Sequence, residues 1–205
     1  MEPAYVDLVK IVPYIVSWSD EKPMRTVVVE HPWAGIAYAD ETLADRDERG
    51  VLWTRIASRP GKGRPLFGEI HSLRQRKVMR RLLCGICGGQ PDRNDQGILW
   101  LLRDFRDDWP NWPEHMASRE PPVCLPCAHQ SVLLCPSLRK GYVAVRVGHS
   151  EVSGVYGIRY RAGKPFPTIV DDAIVTFDDP DIRWTRAHQL VRELLECTIV
   201  DLDAC

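Results

Sequence analysis

Two short cysteine pairs, Cys84-Gly85-Ile86-Cys87 and Cys124-Leu125-Pro126-Cys127, stand 36 residues apart in a chain of 205. Four thiols in this pattern constrain the fold more than any hydrophobic run, because two distant turns must meet at one point. Zn²⁺ accepts soft thiolates and takes four ligands tetrahedrally, and a full set of four sulfurs leaves no position for water or substrate. The pattern therefore predicts a structural zinc ion on Cys84, Cys87, Cys124 and Cys127. The chain has seven cysteines, an odd number that does not close into a disulfide framework. Met1-Glu2-Pro3 opens on an acid and is followed by no long apolar core, so no secretory signal is read and the expected compartment is the cytoplasm. No apolar run approaches the ~18 residues that cross a bilayer.

The stretches on either side of the cysteines read as β-rich. Tyr5–Val12, Thr26–Val29 and Val51–Ile56 are rich in β-branched residues, and Pro13, Pro23, Pro32 and Pro60 punctuate them. After the second pair, Tyr142–Val147 and Gly154–Tyr160 alternate around a turn-like Gly148-His149-Ser150, which predicts a hairpin, and Ala173–Phe177 reads as a further strand. Asp178-Asp179-Pro180-Asp181 is a helix-start signal. The apolar positions Ile182, Leu190, Val191, Leu194 and Leu195 after it predict a C-terminal helix.

Charge is segregated although the net value is only -1. Arg59 to Arg81 holds eight Lys or Arg against Glu69 alone, whereas Asp171 to Asp203 holds nine acids against three Arg. Within the first run, His71–Leu83 predicts an amphipathic helix with Val78, Met79, Leu82 and Leu83 on one arc and Arg74, Lys77, Arg80 and Arg81 on the other. With Arg139 and Lys140 beyond the second cysteine pair, those four are the candidate phosphate-contacting residues. The same basic arc would equally serve as the solvated face of an ordinary surface helix.

Cys84–Gly89 is a tight turn whose glycines let backbone amides approach the sulfurs. Ile98–Leu102 is an apolar strand, and Cys124 opens a helical Ala128–Leu134. Knuckle, hairpin and a ligand pair at a helix start resemble the treble-clef zinc finger, over about residues 83–141. Val123–His129 with Arg139-Lys140-Gly141 also looks like the zinc core of HNH endonucleases. That family places a water-activating histidine in the hairpin, where this chain has Asp92-Arg93-Asn94-Asp95-Gln96-Gly97; His115 lies between the pairs but beyond the strand.

These readings predict an α+β fold, with antiparallel β-rich flanks around a four-cysteine treble-clef zinc module and a helix at the C-terminus. Three segments follow: a β-rich 1–70, a basic helix plus zinc module at 71–141, and a hairpin, strands and helix at 142–205 that packs with 1–70 as one domain or stands as a second. The expected function is a non-catalytic, zinc-stabilised protein that binds nucleic acid or another protein and does not engage a membrane. The alternatives are a divergent metal-dependent nuclease, with His115 as its candidate histidine, and a small-molecule enzyme or binder with its pocket in the β-rich flanks. His129 and Cys135, close behind the second pair, stand open as additional donors to the metal site.

Overall fold

The computed structural model of the chain describes residues 12–205, so the strand expected from Tyr5 onward lies outside the described residues. In chain order the elements are β1 (Val16–Trp18), β2 (Val28–His31), β3 (Gly35–Tyr38), β4 (Leu52–Trp53), β5 (Pro65–Ile70) and α1 (Ser72–Arg81). There follow β6 (Arg93–Asn94), β7 (Gly97–Arg103), β8 (Ala117–Ser118), α2 (Leu125–Leu134), β9 (Tyr142–Arg161), β10 (Thr168–Thr176) and β11 (Thr185–Val200). The class is mixed α/β with mostly antiparallel pairing.

One large sheet dominates. Its path runs β4-β11-β9-β7-β6, with β10 added to the far half of β9 and β8 to β11; β1-β5 and β2-β3 form separate two-stranded sheets. The stretch expected to form a hairpin around Gly148–Ser150 is instead the uninterrupted strand β9. Its first half lies between β7 and β11 and its second half between β10 and β11. Both halves have strand partners on each side, which holds the chain extended through a sequence that would turn if left alone.

The predicted C-terminal helix is corrected: residues 185–200 form β11, paired antiparallel to β9 from Thr185↔Arg159 to Val200↔Ala144. Two register shifts, at Ala187/Gln189 and Val191/Arg192, explain the misleading pattern. The first leaves His188 extra in β11 and the second leaves Ser153 extra in β9, and across them buried Ala187, Leu190, Val191 and Leu194 fall three, one and three residues apart and imitate a helical stripe. The helix-start signal is realised only as a short 3₁₀ segment, Pro180–Trp184, where the Asp179 side chain accepts from the Asp181 amide. Gly157 makes the close pairing possible, because a Cβ there would stand 2.3 Å from the Arg186 carbonyl oxygen.

The apolar run of β7 is buried on both faces. Ile98, Trp100 and Leu102 join Val143, Val145, Val147, Trp112 and Leu194 on one side. Leu99 and Leu101 point the other way and pack with Ala144, Cys84, Val123, Cys127, Ala128 and Leu202. An unbroken apolar strand is what double coverage demands. The second face seats the cysteine module on the sheet, each buried leucine contributing about 1.5–3 kcal/mol.

Helix α1 ends at Arg81, before Leu83, and Leu82 takes the left-handed conformation at its C-cap. Gln75 joins the helix to β11: its Nε2 donates to the Leu190 and Arg119 carbonyls, and its Oε1 accepts from the Leu190 amide at 2.8 Å.

Candidate metal centre

Three local structures bring the four thiols together. The first pair lies in a turn closed by the Cys84 amide donating to the Gly89 carbonyl and the Gly88 amide donating to the Cys84 carbonyl, each at 2.8 Å. The turn is docked from outside: the Gly85 amide donates to Pro122, and the Tyr14 and Ile15 amides donate to Ile86 and Gly85. The second pair straddles the start of α2, with Cys124 as N-cap and a proline in the first turn, where a missing N–H costs nothing. Between them, the Leu99 amide donates to Asp92 and the Asp92 and Val123 amides donate to Val123 and Leu99, so the β6–β7 hairpin is tied to the segment leading into Cys124.

The Sγ atoms of Cys84, Cys87, Cys124 and Cys127 all lie within 4.8 Å of one another, and those of Cys87 and Cys124 are 3.9 Å apart. A tetrahedral zinc with Zn–S near 2.3 Å sets its sulfurs about 3.8 Å apart, so the spacing fits that ion. The Gly89 amide points at the Cys87 sulfur from 3.4 Å, a donor that favours thiolate. Burial pushes the Cys84 and Cys127 thiols up, whereas at Cys87 the Gly89 amide and the neighbouring thiols outweigh burial and draw it down. A divalent cation supplies the charge that lets all four ionise together.

Neither of the two additional candidates joins the cluster. His129 is exposed on α2, 3.9 Å from Asp203, and Cys135 caps the far end of that helix. His115 is bound elsewhere, its Nδ1 2.7 Å from Glu193 on β11. No histidine lies within the sulfur cluster among the described residues.

The six basic candidates have different surroundings. Arg74 is buried, with both terminal nitrogens 2.6 Å from Glu21. Lys77 bonds the Tyr14 hydroxyl, and Arg80 pairs with Asp47 and Glu48. Arg81 and Lys140 are exposed, and Arg139 donates to the Leu133 carbonyl at 3.2 Å.

Sequence reasoning did not identify the assembly around Glu21. This buried carboxylate accepts from Arg74 and from the Trp18 and Arg59 amides, and it faces His71 at 3.7 Å. Burial pushes its pKa up, but the guanidinium and the two amides outweigh that and hold it at about 2. His71 is fully buried. Its Nδ1 accepts from the Arg74 amide and its Nε2 meets the Ala57 carbonyl, an arrangement that one neutral tautomer satisfies. No local pattern in the sequence marks this pair, because Glu21 and Arg74 lie 53 residues apart. Comparison with protein-family models, with curated proteins and with solved structures returned no match to this chain.

Proposed function

We propose that this chain is a non-catalytic binding protein whose centre is a structural zinc in a treble-clef arrangement of knuckle, β6–β7 hairpin and α2. The observation that carries the reading is the convergence, from two distant turns, of four sulfurs and, among the described residues, no other donor type. Four thiolates fill the tetrahedron, so the ion neutralises and cross-links the turns and offers no open position for chemistry. The nuclease alternative gains nothing from His115, which lies outside the β6–β7 hairpin and is hydrogen-bonded to Glu193 on β11. The hollow between Ile70, Arg119 and Gln189 holds about 250 Å³, short of the ~300–1,000 Å³ usual for small-molecule sites. Its partner in this reading is nucleic acid, met on cationic surface outside the sulfur cluster.

Purified protein is expected to carry one zinc per chain, and cobalt in its place should give the sulfur-to-metal charge-transfer bands of a tetrahedral thiolate site. Replacing Cys87 or Cys127 by serine should abolish stoichiometric metal and lower the melting temperature. Wild-type protein that is folded yet metal-free would overturn the reading.

A further inference from the structure

We infer that the paired loops 19–25 and 57–64, with the adjoining bulge at Phe67, form a docking surface for a single strand of nucleic acid, resting on the reading of this chain as a nucleic-acid-binding protein. The two loops are joined edge to edge. The Ser19 amide donates to Arg64, the Arg64 amide to the Ser19 hydroxyl and the Met24 amide to Arg55, while Pro23 and Ile56 bridge. The Glu21 carboxylate holds both loops, since it accepts from the Trp18 amide on one and the Arg59 amide on the other, with Arg74 of α1 supplying its countercharge from beneath. Gly63 has φ +77°, and a Cβ there would stand 2.0 Å from the Ser19 hydroxyl oxygen, so only glycine permits the closure.

Five cations stand on these two joined loops. Lys22, Arg25, Arg59, Lys62 and Arg64 are all exposed, and none has a carboxylate partner among the described residues. Elsewhere Arg46, Arg55, Arg80, Arg106, Arg146 and Arg159 each pair with an acid, and Arg49, Arg76, Arg103, Arg119 and Arg186 each lie over an aromatic ring. Within the loops and β5 the exposed acids are Asp20 and Glu69; Glu21 already answers to Arg74, and Asp40 beyond them is paired with Arg55. Concentrated, uncompensated charge opposes folding by self-repulsion and creates an attractive potential for a polyanion.

The second feature separates a nucleic acid from an acidic protein. Strand β5 pairs Leu66 with Ser17 but Ile70 with Val16, so Phe67, Gly68 and Glu69 bulge out of the ladder. The bulge turns Phe67 into solvent at 64% exposure, three residues from Arg64. An exposed aromatic ring beside guanidinium groups offers stacking for a base while the cations meet successive phosphates.

Fluorescence anisotropy of labelled rU12 and dT12 on the zinc-loaded protein tests this, from 50 to 300 mM NaCl, the two probes distinguishing an RNA from a DNA strand. Binding should weaken with salt, and the combined R59A/K62A/R64A variant should lose about tenfold or more at low salt, with a salt slope about 2 units shallower. Phe67→Ala should lose about fivefold or more and Phe67→Trp should restore it. The paired R139A/K140A variant serves as a control that keeps binding. All variants should retain zinc and the wild-type melt. Unchanged binding in the loop variants, or displacement of the strand by a poly-glutamate peptide as readily as by unlabelled rU12, would overturn the surface. Loss in R139A/K140A alone would overturn it too, while leaving nucleic-acid binding intact. Zinc-loaded, folded protein that binds neither oligonucleotide defeats this inference and the assigned partner, but not the structural zinc.

Discussion

Glu21 shows how one side chain can organise sequence-distant segments. Its carboxylate is removed from water, a cost that Arg74 and two backbone amides offset by satisfying both oxygens. Removing the charge leaves Arg74 buried without a counterion, so Glu21→Gln should destabilise the protein by about 3–5 kcal/mol at pH 7 in urea titrations. The pH dependence has a definite sign. The folded pKa of about 2 lies below the usual value of 4.5, so this stabilisation is fully present above pH ~4.5 and is lost as pH falls from there toward 2. The gap between wild type and Glu21→Gln should therefore narrow below pH ~4.5. A gap of constant size across that range would mean the carboxylate is not held charged by its neighbours. The sequence displayed Arg74 as one cation on a basic arc. What it did not display was Glu21 fifty-three residues earlier, because an ion pair of that separation exists only once the chain has closed.

At the scale of an element, β11 is the instructive case. Its buried positions follow a helical spacing across two shifts in its pairing with β9, one that adds His188 to β11 and one that adds Ser153 to β9. A helix would place Leu194 and Leu195 on neighbouring positions of one apolar arc. In the strand, Leu194 is fully buried against Trp100 and Val145, while Leu195 is only half-buried. Leu194→Ala should accordingly cost about 2–5 kcal/mol, and Leu195→Ala well under half as much, measured by chemical denaturation. Equal losses at both positions would contradict the strand register. Strand β7 was legible by contrast, since the unbroken apolar run Ile98–Leu102 flanked by Gly97 and Arg103 has the length and composition of a strand covered on both faces. Helix α1 was legible in position too, although its buried side carries Arg74 and Gln75 beside Val78 and Met79.

Across the whole molecule, the sulfur cluster and the large sheet share one core. Cys84 and Cys127 pack with Leu99, Leu101 and Ala144 and with Leu202 near the C-terminus. Taking the proposed zinc away should therefore loosen α2, β6 and the knuckle first, while amides in the β9–β11 ladder stay protected by their own long pairing. Hydrogen exchange with and without a chelator measures this directly. Uniform loss of protection across β9 and β11 would show that the sheet has no stability of its own. The described residues contain no helix long and apolar enough to cross a membrane.

The sequence by itself determined the four sulfurs, because ligand chemistry is written in residue type and local spacing, and it determined the apolar strand that seats them. Only the tertiary structure decided that 142–161 runs straight, that 185–200 is a strand, and which cations are held inside and which are left facing water. Those outcomes depend on partners far away in the chain: β9 stays extended because β7, β10 and β11 bind its edges, and Arg74 is buried because Glu21 meets it there. Local propensity is weak beside such pairing, so it yields wherever tertiary contacts demand another conformation.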